Sequence, residues 1–503
     1  MRERANKLKE EVGVLFQNCK NIVEKMNLVD VLQRLGIDHH FEEQITTTLH
    51  SIHNADFNSG SLNEVSLRFR LLRQQGFWVP PDVFNIFKSG DGSFVSDITN
   101  DTKGLLGLYN AAHLLTHNEG ALEEAILFAR HHLELERSTL KSPFAEQVTR
   151  ALRIPLPRTL KRVEALNYIT EYNVYEQPYN PAILELAKLE FNLLQHLYLK
   201  ELKTVSQWWK DLSAYIELDY IRDRLIEGYF YSYNVYHEQE HARARIILTK
   251  IFVLWTLLDD TFDTHANLEE CQKLHQAIER WDESAACLLP DYLTKFFLKL
   301  ISNFREFDNE LGPHEKYRSA YNKKAFQKLS SYYLQESEWF HKNHIPSFKD
   351  QMDVSVMTGG AQMACVGILF GMDDVAPDAF EWAIGCSDSA KTVGAITRYA
   401  NDLAAFKNGG NKMDTANSVE CYIKEHNVTS EVALAKISDL VEHEWKNTNE
   451  ARFKNRELLS VVQRVSNCAM CAMFYCHGMR DLYTNSKDII GAIESHFVNP
   501  ISL

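Results

Sequence analysis

Residues 242–270 read ARARIILTKIFVLWTLLDDTFDTHANLEE, and no other stretch says as much about this chain. A mostly apolar helical run ends in three carboxylates, Asp259, Asp260 and Asp263. On a helix, Asp259 and Asp263 lie one turn apart on one face, and Asp260 is rotated by about 100°. Carboxylates crowded at the end of an apolar helix repel one another unless a cation lies among them. Their hard oxygens favour Mg²⁺, which keeps waters and phosphate oxygens as its other ligands.

A pair of arginines precedes this acidic helix in YIRDRLIEGYF, residues 220–230. The guanidinium groups of Arg222 and Arg224 are planar and always charged, which suits them to bind a diphosphate. Alone, the pair is a weak signal, because two surface arginines are the ordinary case. Next to a Mg²⁺ motif, the pair predicts half of a diphosphate-binding site.

Periodicity and breaker residues predict an all-α chain. The 503 residues include only 12 prolines and 21 glycines, and residues 182–289 contain no proline. Apolar residues recur at spacings of three and four, whereas the alternation typical of strands is scarce. The chain is too long for one ordinary core. The loop near residue 180, which carries two prolines, therefore predicts a boundary between domains at 1–180 and 181–503.

The net charge and the number of cysteines exclude some classes of protein. A net charge of −14 and a pI near 5.8 leave no basic stripe that could bind nucleic acid. Nine cysteines and a charged amphipathic start indicate reduced thiols and a cytoplasmic protein. No run of eighteen uncharged apolar residues predicts a membrane span. Cys468 and Cys471 form a C-x-x-C that could bind zinc, but their apolar surroundings favour buried helix cysteines.

Several segments in the same order resemble the plant terpene synthases, specifically the class I cyclases that act on farnesyl diphosphate. They are DTKGLLGLYNAAHL (101–114), QWWKDL (207–212), RDRLIEGYF, ARARIILTK, LLDDTFDTHANLEE and NSVECYIKEH (417–426). The segment NGGNKMDTANSVECYIKEH is most similar to grass members of the sesquiterpene branch. The resemblance implies an amino-terminal α-barrel and a carboxy-terminal α-bundle that holds the active site. It also implies a structural amino-terminal domain, because the D-x-D-D of class II chemistry is absent.

The resemblance further implies a reaction and its ligands. Mg²⁺-dependent ionisation and cyclisation of farnesyl diphosphate would give a cyclic sesquiterpene, either a hydrocarbon or a water-quenched alcohol or diol. Up to three Mg²⁺ ions are implied, with Mn²⁺ as a substitute, and the expected partner is a prenyl diphosphate bound by a monomer. The implied metal ligands are Asp259, Asp260, Asp263, Asn401 and Asp402. The implied diphosphate ligands are Arg222, Arg224, Arg398 and Lys412.

The second metal motif of the family is degenerate in TRYANDLAAFKNGGNK, residues 397–412. Asn401 keeps the first ligand, and Asp402 is its neighbour. Ala405 stands where the family has a hydroxyl or glycine, and Gly409 stands where it has a glutamate. Two of the three ligands are therefore missing.

Three interpretations of this arm remain open. A third metal could be held by Asn401, diphosphate and water, with Asn408 helping, because seven residues return nearly to the same helix face. The arm could instead bind no metal, which would leave Arg398 and Lys412 to neutralise the diphosphate. The protein could also be a catalytically impaired descendant of a cyclase.

An apolar aromatic wall is needed to steer carbocations away from water. The helix before Asp259 offers substrate-binding candidates in Phe252, Trp255 and Thr256. The family position adds catalytic candidates at Thr358, in a helix break at MTGGAQ, and at Asp481 and Tyr483, in a segment that caps the site. Tyr231 stands where the family often has tryptophan.

A zinc hydrolase is the rival interpretation. His237, Glu238 and His241 spell H-E-x-x-H, which on a helix would place two imidazoles on one face. A third ligand could come from Asp259–Asp263, which lie at a plausible distance. The family, however, has a variable loop at this point, and no G-x-x-H follows. We therefore expect these residues to lie outside a helix and to bind no metal.

Overall fold

The computed structural model describes residues 1–172, 179–373, 375–385, 388–407, 417–476, 478, 480–483 and 485–503. Over these ranges the regular structure is helical, apart from an isolated antiparallel bridge between Lys88 and Phe94. The all-α prediction is confirmed. The chain divides into two compact units, of which the first comprises residues 1–196, 446–459 and 494–503 and the second comprises 197–445 and 460–493.

The first unit is built from short helices joined by turns and 3₁₀ segments. Its helices are α1 (Arg2–Asn18), α2 (Ile22–Arg34), α3 (Glu42–Asn54), α4 (Leu62–Gln74), α5 (Thr102–Ala112), α6 (Gly120–Glu136), α7 (Phe144–Arg153), α8 (Lys161–Glu171) and the start of α9 (Pro181–Ile216). The buried Arg73 on α4 donates two hydrogen bonds to Glu119, at 2.5 and 2.7 Å. The pairing offsets the cost of burying both charges.

The second unit holds the rest of α9 and the remaining helices. They are α10 (Leu225–Val235), α11 (Ala242–Asp260), α12 (Leu268–Arg280), α13 (Asp291–Glu310), α14 (Arg318–His341), α15 (Phe348–Thr358), α16 (Ala361–Gly371), α17 (Pro377–Ile384), α18 (Asp388–Lys407), α19 (Ser418–His426), α20 (Ser430–Lys454), α21 (Leu459–Cys476) and α22 (Ile490–Phe497), the last parts of α20 and α22 belonging to the first unit. Helix α11 packs against α10 and α16 and is buried on most sides, which explains its nearly continuous apolar sequence.

Helix α11 ends in a π-helical turn, Thr261–His265. The Thr264 hydroxyl donates to the carbonyl oxygen of Asp260 at 2.6 Å, and a capping box of Asn267 and Glu270 then starts α12. Widened turns of this kind recur at functional sites. Here the turn carries Asp263.

The segment 348–371 is the one described stretch apolar and long enough to cross a membrane. Its most apolar window is 89% buried inside the protein, as in the core helix of a soluble protein. The chain also breaks within it, between α15 and α16, where Gly360 has a φ of 92°.

Candidate active site

A cavity of about 450 Å³ lies within the second unit, lined by residues of α10, α11, α14, α15, α18 and α21. Among its walls are most of the residues singled out from the sequence: Arg222, Tyr231, Phe252, Trp255, Thr256, Asp259, Asp260, Asp263, Thr358, Arg398, Asn401, Asp481 and Tyr483. Carboxylates and arginines therefore share one chamber with aromatic rings.

Asp259 and Asp263 both line this chamber. The Asp259 side chain is 31% exposed, and its Oδ2 accepts a hydrogen bond from Nη2 of Arg222 at 2.9 Å. Carboxylate oxygens in a water-accessible cavity are the donors that a hard divalent cation requires. The pair fits a metal site.

Asp260 differs from its neighbour, because it is 1% exposed and engaged on both oxygens. Its Oδ2 accepts the backbone N–H of Arg222 at 2.8 Å, and its Oδ1 accepts Nε of the same arginine at 2.6 Å. Burial raises the pKa of Asp260, against the opposing effect of Arg222. In this structure the carboxylate orients Arg222, and its role as a metal ligand stays a prediction.

The second arm repeats this arrangement. Asn401 lines the cavity, whereas its neighbour Asp402 is 0% exposed. Asp402 accepts hydrogen bonds from Nε of Arg398 and from the backbone N–H of Ser418, each at 2.8 Å. Like Asp260, Asp402 is engaged by protein partners, but unlike Asp260 it does not line the cavity, and its role as a metal ligand stays a prediction. In both arms, the carboxylate next to the cavity-facing residue fixes an arginine.

Of the other residues predicted for the second arm, the structure describes Ala405. Ala405 is buried on α18 and offers no ligand oxygen from its side chain. Asn408, Gly409 and Lys412 lie outside the described residues.

Arg224 is not among the residues that line the cavity. Its Nη1 donates to the carbonyl oxygen of Asp223 at 2.9 Å and lies 3.9 Å from Glu227. Residues 221–224 precede α10 and are not helical, so the two arginines of R-x-R point to different surroundings. The structure brings Arg222 to the site and does not bring Arg224 there.

Tyr231 contributes to the aromatic wall. Its ring stacks on that of Tyr475 with centroids 5.5 Å apart and an angle of 6°, and its centroid is 5.1 Å from that of Phe252. Its hydroxyl donates to the carbonyl oxygen of Cys468 at 3.0 Å. Burial raises the pKa of Tyr231 well above its usual value, so the ring stays neutral.

Tyr483 joins the capping segment to α11. Its hydroxyl and that of Thr256 share a hydrogen bond of 2.9 Å, and its backbone N–H donates to Oδ1 of Asp481 at 3.0 Å. Burial raises the pKa of Tyr483 to about 12. The segment predicted to cap the site therefore reaches into it.

The helix break predicted at MTGGAQ is confirmed, and Thr358 ends α15 there. The Thr358 hydroxyl donates to Oε1 of Glu336 at 2.9 Å. Tyr333, which sequence reasoning missed, donates to the Thr358 carbonyl at 3.4 Å and accepts Nε1–H of Trp255 at 2.6 Å. Nothing in SSYYLQESEWF distinguishes this tyrosine from its neighbours, because its role depends on contacts between helices.

Two cysteines that line the cavity were also not predicted from the sequence. Cys468 and Cys476 on α21 line the chamber beside Ala472. The apolar pattern of VSNCAMCAMFYC predicts buried helix thiols, and Cys468 and Cys471 are indeed buried and form no disulfide. Burial raises the pKa of Cys468 to about 12, which keeps the thiol neutral.

The H-E-x-x-H residues do not share a helix. His237 and Glu238 lie between α10 and the 3₁₀ turn Gln239–His241. Oε2 of Glu238 accepts a hydrogen bond from Arg464 at 2.9 Å. The geometry that zinc hydrolases need is absent from this described segment.

Comparisons with known proteins agree with this geometry. Residues 210–447 match the family described as "Terpene synthase family, metal binding domain", and residues 1–152 match "Terpene synthase, N-terminal domain". The chain belongs to the terpene synthase family.

Particular relatives refine the placement. A tau-cadinol synthase of Zea mays is 61% identical over 100% of this chain and 93% of its own length. A eudesmanediol synthase of Zea mays is 41% identical over 100% of this chain and 91% of its own. The expected similarity to grass members is confirmed, and the tau-cadinol synthase is the more similar of these two.

A solved structure shares the fold. The isoprene synthase of Populus x canescens, in complex with three Mg²⁺ ions and dimethylallyl-S-thiolodiphosphate, is 29% identical with a TM-score of 0.88. The match covers 99% of this chain and 97% of that chain. The two-domain helical prediction is confirmed by this likeness, and the family's metal-binding domain implies a divalent metal cofactor.

Proposed function

We propose that this protein is a Mg²⁺-dependent sesquiterpene synthase that ionises and cyclises farnesyl diphosphate. The observation that carries the proposal is one chamber in which Asp259, Asp263 and Asn401 face the same space as Arg222 and an aromatic wall. The names of the relatives support a sesquiterpene product. In this proposal residues 181–503 are catalytic and residues 1–180 are structural.

The polar end of the chamber would bind the diphosphate. Asp259, Asp263 and Asn401 would hold Mg²⁺, which when bound acts as a Lewis acid on the diphosphate oxygens. Arg222 and Arg398 carry fixed positive charge at the same end, because Asp260 and Asp402 orient them. Charge placed in advance stabilises the departing diphosphate and prevents its return to the cation.

The apolar end would shape the carbocation. The rings of Tyr231, Phe252 and Trp255 present π faces, which attract cations in a site that excludes water. Buried hydroxyls at Tyr333 and Tyr483 are neutral. Proton loss or water capture would then end the cascade.

The loss of a hydroxyl at Ala405 favours one other candidate, a catalytically impaired cyclase. The experiment that separates the two is incubation of the purified protein with C10, C15 and C20 prenyl diphosphates, in Mg²⁺ or Mn²⁺. Products are identified by gas chromatography and mass spectrometry, and released diphosphate is measured in the same tubes.

We expect C15 products and stoichiometric diphosphate with the C15 substrate, and little of either with an Asp259→Asn preparation. Diphosphate release without any terpene product would show that the protein ionises the substrate but does not cyclise it. Neither product nor release from any substrate would establish the impaired protein.

A further inference from the structure

Two adjacent histidines and a glutamate form a polar cluster in the first unit, far in sequence from the residues of the cavity. His39 and His40 lie in the 3₁₀ turn Asp38–Phe41, and Glu190 lies on α9. One nitrogen of each imidazole and one oxygen of the carboxylate lie within 4.8 Å of one another. None of these side chains lines the cavity described above.

The distances from the Glu190 carboxylate to the two histidines are close to those between ligands of a tetrahedral metal ion. Oε1 of Glu190 is 3.6 Å from Nε2 of His39 and 3.0 Å from Nε2 of His40. Zinc binds nitrogen and oxygen at about 2.0–2.1 Å, so two ligands of a tetrahedron lie about 3.3 Å apart. The two observed separations lie on either side of this value.

The hydrogen-bonding state of His40 and Glu190 also suits a metal site. Nε2 of His40 is buried, and it makes no aligned hydrogen bond although Oε1 of Glu190 is 3.0 Å away. The two imidazoles are in contact, with centroids 3.9 Å apart and ring planes tilted by 49°, and the Nε2 atoms of both lie within 4 Å of the same carboxylate oxygen. Nζ of Lys9 lies 3.6 Å from the other oxygen, Oε2, and leaves Oε1 to the histidines.

We propose that His39, His40 and Glu190 bind a zinc ion, with water as the fourth ligand. Two imidazoles and one carboxylate suit Zn²⁺, whereas Mg²⁺ prefers a set made of oxygens. The side chains of His39 and Glu190 are only 4% and 6% exposed, so a bound ion would be largely shielded. The site would be structural, because it ties a turn near the amino terminus to α9, about 150 residues later.

The test uses the full-length, tag-free protein, stripped with a chelator and dialysed into saturating Mg²⁺ so that the aspartates of the cavity are occupied. Zinc is titrated against a chromophoric chelator, and bound zinc is counted by mass spectrometry. We expect one zinc per chain, together with a rise in melting temperature, because an ion that binds the folded state stabilises it.

Variants locate the ion. Glu190→Gln keeps the shape of the side chain and should weaken zinc binding more than about tenfold, and His40→Ala should do the same. His131→Ala is the matched control, because His131 and His132 are also adjacent and in ring contact but form no such cluster with other described residues. Zinc binding should be unchanged in this control.

A second readout guards against variants that fold poorly. Co²⁺ bound tetrahedrally by nitrogen and oxygen gives strong visible absorption, which wild type should show and folded Glu190→Gln should lose. Wild type that binds less than about a tenth of an equivalent at micromolar zinc, or zinc that persists in Glu190→Gln and His40→Ala, would overturn the proposal. Product assays play no part, so failure of the proposed function would leave this result unaffected.

Discussion

Trp255 occupies the space that any side chain at position 360 would need. A β-carbon added to Gly360 would come within 1.7 Å of Cη2 of the indole. Gly360 also has a φ of 92°, a conformation that residues with side chains rarely adopt. The indole is held from its other end by Tyr333, whose hydroxyl accepts its N–H at 2.6 Å. One wall of the chamber is therefore set by a contact between a ring and a bare backbone.

We expect Gly360→Ala to displace the indole of Trp255 and change the contour of the apolar wall. The substitution should redistribute terpene products, while diphosphate release falls by less than about tenfold, because the polar end is untouched. Product profiles and release rates are measured together with the C15 substrate.

Gly228→Ala is the control for this prediction. Gly228 lines the same cavity, but a β-carbon there would meet its nearest neighbour, Cβ of Phe252, at an ordinary 3.7 Å. Its product profile should match wild type. An unchanged profile in Gly360→Ala would show that the indole does not template the reaction.

Substitution of Asp259 should lower turnover, whereas substitution of its neighbour Asp260 should lower stability. Asp259→Asn should lower turnover by at least about two orders of magnitude with little change in melting temperature, because the side chain faces the cavity. Asp260→Asn should destabilise the fold by about 2 kcal/mol, since it weakens a pairing whose carboxylate is buried and whose arginine is a third exposed. Chemical denaturation measures the stability of both variants, and a product assay measures their turnover. Equal stability of the two would contradict the positioning role of Asp260.

The degenerate arm predicts a weak metal site. Asn401→Ala should raise the Mg²⁺ concentration needed for half-maximal turnover. The double variant Ala405→Ser with Gly409→Glu adds a hydroxyl and a carboxylate, so apparent Mg²⁺ affinity should rise by up to about tenfold. Mg²⁺ titrations of turnover compare the three proteins. If neither variant shifts the titration, this arm holds no metal, and the diphosphate is neutralised by Arg398 and Lys412 instead.

Acid should weaken the second unit through Glu315. This carboxylate accepts two hydrogen bonds from Arg243, at 2.8 and 3.0 Å, and they lower its pKa to about 2. A carboxyl with a folded pKa below its unfolded value stabilises the protein above about pH 4.5, and this contribution is lost as the pH falls towards about 2.

Between about pH 5 and about pH 3, Glu315→Gln should therefore lose about 1 kcal/mol less unfolding free energy than wild type, after allowance for solvent screening. Denaturant titrations at the two pH values measure this difference. The control is Glu283→Gln, because the ion pair of Glu283 with Arg305 is more than half exposed on both sides and contributes little. Identical acid sensitivity of Glu315→Gln and wild type would show that the pair with Arg243 is not a stabilising contact.

Helix geometry explains what could be predicted from the sequence. The spacing of Asp259 and Asp263 is a local property, and both side chains reach the same cavity. The pairing of Arg398 with Asp402 was not predicted, although residues four apart on a helix are neighbours.

Contacts between distant segments could not be read in this way. Arg222 and Asp260 are 38 residues apart, and Arg224 turns away because residues 221–224 are not helical. The contact of Trp255 with Gly360 depends on how two helices pack, and periodicity carries no record of it.

Asp402 has a consequence for enzyme engineering. One of its oxygens holds Arg398, a turn earlier on α18, and the other accepts the N–H of Ser418, where α19 begins. The chain is thus anchored on both sides of residues 408–416 by a single carboxylate. Exchange of the segment between these two contacts would leave the hydrogen bond from Arg398 to Asp402 in place. The Mg²⁺ concentration that the enzyme needs could then be changed through residues 408–416 alone, without redesign of the helices around the chamber.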